Sequence, residues 1–177
     1  MGLKKSIKSP LILLAIILSI FFMGCSSSTK NNHVIKDFIS KFYTVTSEDI
    51  KMYGDNTNGI SDEFITFIEE SNKTFQPLLT DEAFNTFKNN RLSTIRLDGP
   101  FKGNYTVEVT DMEITEKEII DDVASYDVSF TLVKKEDNRT SDKNYSTTIY
   151  LEKLDDNWKI NENNIFEILN ENFQLIR

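Results

Sequence analysis

A single cysteine, Cys25, a single histidine, His33, and carboxylates that come largely in adjacent pairs are the residues of this 177-residue chain whose types could do chemistry. Proton transfer needs a group held within about 3 Å of its substrate. His33 follows a polar run and precedes the first apolar pattern, a poor place to hold an imidazole, so it reads as incidental. Asp127 sits inside an alternating stretch that turns it away from Tyr126 and Val128, toward solvent. The acid pairs are Glu48-Asp49, Asp62-Glu63, Glu69-Glu70, Asp81-Glu82, Asp121-Asp122 and Asp155-Asp156. Several fall at helix starts or in turns, where such residues belong for local reasons. The loop Gly54 to Glu63 invites comparison with a calcium loop. With Gly59 in the glycine position, Gly54 takes the first ligand place and Ile65 the last, and both places need acids. No metal, no cofactor and no catalytic residue are therefore expected, and the chain reads as a non-enzyme.

Cys25 is different. Lys4, Lys5 and Lys8 precede an apolar run from Leu11 to Met23, which gives way to Gly24-Cys25 and then Ser26-Ser27-Ser28. A basic start, an apolar middle and a small-residue exit make an export signal. The run is shorter than the roughly 20 residues a membrane-spanning helix needs. With no second cysteine, Cys25 has no internal disulfide partner. Phe22-Met23-Gly24-Cys25 resembles the lipobox of bacterial lipoproteins. The resemblance implies cleavage between Gly24 and Cys25 and a diacylglyceryl group on the Cys25 thiol. It places the mature chain on the extracytoplasmic face of the cell membrane, a Gram-positive cell surface by this reading. Two acyl chains anchor stably where one binds reversibly. An ordinary secretory signal beside a chance cysteine and an uncleaved anchor are the alternatives.

Charge narrows the partners. The whole chain carries a net −8, and residues 1–24 hold three lysines and no acids, so the mature part is more acidic still. Nucleic acid binding needs a basic stripe and is excluded. Electrostatic attachment to anionic headgroups is excluded as well, so the membrane is reached through the lipid on Cys25.

The elements that must position everything else come next. Residues 1–24 are the signal peptide, 25–32 a polar tether and 33–177 a single domain. Val34, Phe38 and Phe42, flanked by Ile35, Ile39 and Tyr43, predict a first helix. Glu48 to Ile60, with Gly54-Asp55-Asn56 and Asn58-Gly59, predicts a loop. Ser61 caps a second helix carrying Phe64, Phe67, Ile68 and Phe75, which Pro77 breaks. Thr80 caps a third, carrying Phe84, Phe87 and Leu92. After Gly99-Pro100 the period becomes two. Strands are predicted at Tyr105–Thr110, Tyr126–Val133, Tyr145–Leu151 and Trp158–Ile160, with charged breaks at 113–122, 134–143 and 155–157. Ile165 to Phe173 reads as a weak helix or as an extension of the last strand.

Helices followed by strands predict an α+β domain, N-terminal helices on a curved antiparallel sheet of about four strands. This order, with the terminal hairpin Leu154-Asp155-Asp156-Asn157-Trp158-Lys159-Ile160, resembles the nuclear-transport-factor-2-like (cystatin-like) superfamily. The resemblance implies a cone whose interior, in the superfamily's enzymes, carries His, Asp or Tyr. The phenylalanines read as core rather than as a pocket lining. Two functions follow as expectations. The first is a lipid-anchored, non-enzymatic binding or protein-interaction domain whose partner is an envelope protein, a cell-wall assembly or a small ligand. The second is a small-molecule sensor or enzyme using the cone's interior.

Overall fold

The apolar stripe of Val34, Phe38 and Phe42 lies on helix α1 (Ser27–Tyr43) in a computed structural model that describes residues 27–56 and 62–163. Gly24, Cys25, the signal peptide, Ser61 and the segment 164–177 lie outside the described residues. Ile35, Phe38, Ile39 and Phe42 on α1 are fully buried, as their spacing requires. The helix begins earlier than the tether assigned to 25–32 allows. Residues 27–32 are helical, and Asn31 is fully buried with its Nδ2 donating to Tyr126 Oη at 3.0 Å. That bond ties the first turns of α1 to the sheet.

The second helix was not expected. α2 (Ser47–Asn56) occupies most of the predicted loop. Thr46 and Asp49 cap it reciprocally: Thr46 Oγ1 accepts from Asp49 N at 3.2 Å, and Asp49 Oδ2 accepts from Thr46 N at 2.8 Å. Gly54 marks a close approach rather than a turn, because a Cβ there would lie 2.6 Å from the Phe101 ring. Helix α3 (Asp62–Lys73) follows, and Pro77 opens a 3₁₀ turn at Gln76–Leu78. Thr80 then caps α4 (Asp81–Asn89), its hydroxyl accepting from Ala83 N.

Helix α5 (Leu92–Gly103) was not read from the sequence and runs through Gly99-Pro100, the pair after which the period of two was expected to begin. Pro100 sits in the last turn, so the missing N–H costs a single bond of an already terminating helix. Asn104, at φ 49°, closes it: Asn104 N donates to Phe101 O and Tyr105 N to Pro100 O, the paired bonds of a Schellman end.

Among the described residues these five helices precede a four-stranded antiparallel meander in the order β1-β2-β3-β4. Its strands are β1 (Thr106–Ile120), β2 (Val123–Glu136), β3 (Arg139–Leu154) and β4 (Asn157–Asn163). The α+β class and element order are therefore as read from the sequence. The strands are longer than read. Ile120 pairs with Val123 and Glu136 with Arg139, so the charged stretches 113–122 and 134–143 are mostly ladder, each with a two-residue turn. Asp155 and Asp156, both at positive φ, form the β3–β4 turn. Register shifts at Thr110/Glu113 and Glu116/Glu118 bend β1. Ala124, Tyr126, Val128, Phe130, Ile149, Leu151 and Ile160 point inward against α1.

Candidate functional site

The face of the sheet that packs on α1, which the resemblance makes the interior of a cone, carries a cluster of aromatic rings. Phe75 and Phe87 meet with ring centroids 4.8 Å apart, Phe38 and Phe42 stack at 5.4 Å, and Phe42 lies 5.9 Å from both Phe75 and Phe87. Tyr43 and Phe130 continue the cluster at 5.1 Å. The rings of Phe38, Phe42, Phe75 and Phe87 are buried and in contact, so these phenylalanines are core, whereas Phe64, Phe67 and Phe84 are only half-buried and Phe67 lines a groove. Burial lifts the Tyr43 hydroxyl far above the usual tyrosine value.

Polar pairs occur around this core. Ser93 Oγ donates to Asn72 Oδ1 at 2.7 Å, both residues buried. Tyr126 Oη accepts from Asn31 and lies 3.2 Å from Glu116 Oε2, to which it donates; Glu116 is exposed. A bonded Asp–Tyr pair, Tyr53 to Asp98 at 3.5 Å, lies away from this core between α2 and α5. Asp98 also holds Lys102 at 2.7 Å.

Of the residues singled out in the sequence, His33 is exposed, 3.5 Å from Asp37 one helical turn away. Asp127 faces solvent as expected, paired with Lys117 at 3.3 Å and bonded by Thr148 at 2.9 Å. The structure brings none of the acid pairs together into a cluster: among the described residues no group of three His, Cys, Asp or Glu side chains converges as a metal site would. No helix of the described residues is long and apolar enough to cross a membrane.

The feature missed in the sequence is an open groove of about 610 Å³ between α1, α2, α3 and α5. Its volume falls in the range of small-molecule sites. Arg96 of α5 forms part of the wall. Its Nε donates to Ser93 O at 3.2 Å and its Nη1 to Thr44 O at 2.9 Å, just beyond the C-terminus of α1 where a cation suits the helix dipole. The guanidinium carbon lies 6.0 Å from the centroid of the Phe75 ring. Burial pushes the guanidinium below the usual arginine value, and the Asp49 carboxylate partly offsets this. Lys41 stands exposed on the rim; Met52 and Phe67 supply apolar surface; Glu70 joins Asp49 as the acidic side. The one sequence signal was a lone arginine within the otherwise uncharged stretch Leu92 to Leu97.

No family model matches the chain, and no curated protein matches it in sequence. A solved structure described as a calcium/calmodulin dependent protein kinase II association domain from Xanthomonas campestris superposes with a TM-score of 0.34 at 16% identity. The match covers 59% of this chain and 86% of that one. A superposition that loose assigns neither a family nor a function.

Proposed function

We propose that this chain is a lipoprotein anchored through Cys25 at the extracytoplasmic face of the cell membrane, and that its α+β domain is a non-enzymatic binding or protein-interaction module. The observation that carries the second half is the aromatic filling of the cone. Phe38, Phe42, Phe75 and Phe87 occupy the space a substrate would need, which moves recognition to the outer surface. Among the described residues the groove beside Arg96 offers a surface shaped for it. The lipobox at Phe22 to Cys25 supports the anchor, and the helices-then-meander order agrees with the nuclear-transport-factor-2-like resemblance.

A photo-crosslinking residue placed at Met52 or Phe67 tests this in intact cells, with Ser129 on the outer sheet face as control. Both groove positions should give a discrete adduct that Ser129 does not. No adduct from the groove, or one discrete adduct from Ser129 alone, would sink the assignment of recognition to this face.

A further inference from the structure

We propose that the Arg96 groove binds a monocarboxylate with an apolar body, the carboxylate paired with the open edge of the guanidinium and the body lying on Met52 and Phe67. The inference rests on the reading of the domain as a binding module and names what its groove takes. An arginine carries five N–H donors in a rigid fork. Nε and Nη1 are directed at Ser93 O and Thr44 O, which fixes the plane of the group over Phe75. Among the described residues Nη2 makes no hydrogen bond, and no carboxylate comes within ion-pair distance of Arg96.

A partly buried cation held in plane with no carboxylate in direct contact is a receptor for one, because carboxylates match the guanidinium fork and charge-assisted bonds are the strong ones. The nearest acid does not take that place. Asp49 Oδ2 accepts from both Thr46 N and Thr46 Oγ1, at 2.8 and 2.7 Å. The same acids select the ligand's charge. Asp49 and Glu70 on the groove walls repel a dianion such as phosphate, whereas one negative charge is met by Arg96 with Lys41 nearby. The apolar body follows from Met52, which is 43% exposed, and from the half-buried Phe67.

The test is calorimetric titration of the full-length protein in lipid nanodiscs with hexanoate, with hexanamide as the neutral isostere and inorganic phosphate as the dianion. Hexanoate should bind saturably, hexanamide at least about tenfold more weakly because the charge-assisted bond is lost, and phosphate at least about tenfold more weakly because Asp49 and Glu70 repel its second charge. Arg96→Lys keeps the charge and removes the fork, and should cost about the same factor. Since Arg96 also holds two carbonyls, Met52→Glu provides a variant at an exposed position: a carboxylate placed in the groove should abolish hexanoate binding with the circular dichroism unchanged.

An N-acetyl tripeptide ending in leucine, as free acid and as amide, separates the sources. Acid-selective binding tighter than hexanoate identifies a protein C-terminus, and hexanoate the tighter of the two identifies a free acid; both bear the proposal out. Equal binding of hexanoate and hexanamide overturns it, as does no binding of any acid, or hexanoate binding unchanged in Met52→Glu. If hexanoate fails while groove crosslinks persist, the carboxylate assignment falls and the binding module stands. If both fail, both fall.

Discussion

Truncating Phe87 measures whether the cone is solid. The side chain is fully buried, so its whole apolar surface is returned to water or to a void on Phe87→Ala. Its ring neighbours cannot follow it into the gap. Phe75 at 4.8 Å is held by Phe38 and Phe42, each 5.9 Å away, and Phe38 and Phe42 are stacked on the buried face of α1. With little collapse, the transfer and cavity terms add, and the loss should be about 3–5 kcal/mol. For a domain of this size that lowers Tm by roughly 6–20 °C. The control lies on the same helix. Phe84 is half-buried with Lys88 Nζ 5.0 Å from its ring centroid, and Phe84→Ala should cost only about 1–2 kcal/mol. Urea titration of both variants against wild type, read by far-ultraviolet circular dichroism at unchanged m-value, gives the numbers. A Phe87→Ala loss below about 1.5 kcal/mol would mean that the space beside the ring was already empty. The interior would then be a cavity, and the argument that moves recognition to the outer surface would fail.

Two further outcomes follow from the polar groups. Tyr126→Phe removes the acceptor of Asn31 Nδ2, whose Oδ1 is already buried without a partner, and should cost about 1–3 kcal/mol in the same urea assay. A change near zero would show that the Asn31 bond does not tie α1 to the sheet. Burial raises the hydroxyls of Tyr43, Tyr105 and Tyr126 above the ordinary 10.0, so the folded state holds protons that the unfolded state releases. Stability is fully present below that value and falls as pH rises past it toward the folded-state values. Phenolate absorbance should therefore lag behind that of a denatured control in alkali and rise together with unfolding; ionisation of all tyrosines in parallel with the control, before any unfolding, would contradict the burial.

The parts of the fold legible in the sequence are those with one buried face. α1 shows its stripe because Phe38 and Phe42 share one buried face, packed on the sheet and on Phe75 and Phe87, and β2 alternates because Tyr126, Val128 and Phe130 face in while Asp127 and Ser129 face out. α5 was illegible for a different reason. Ser93, Thr94, Leu97 and Pro100 share its buried face but only Leu97 is a large apolar residue, while Ile95 and Phe101 are exposed, so no hydrophobic stripe shows, and the Gly99-Pro100 pair reads as a break. The far half of β1 hid behind its register shift between Glu116 and Glu118, which spoils the period of two, and behind its acids, which read as a turn. α2 was concealed by Gly54-Asp55-Asn56, a turn-like triplet whose glycine serves the contact with Phe101. The groove leaves no linear motif at all. Its residues come from four helices and the links between them, and Arg96 becomes a candidate only once Thr44 O and Ser93 O are seen to hold it in plane.

The central claim is an anchored binding domain, and its anchor is tested most directly by labelling cells with an alkyne-bearing palmitate and fractionating wild type beside Cys25→Ala. The account predicts label on the wild type only, a membrane-bound mature chain whose first residue is Cys25, and Cys25→Ala shifted to the medium or to the full-length precursor. An alanine variant that still takes up label and fractionates unchanged would contradict it.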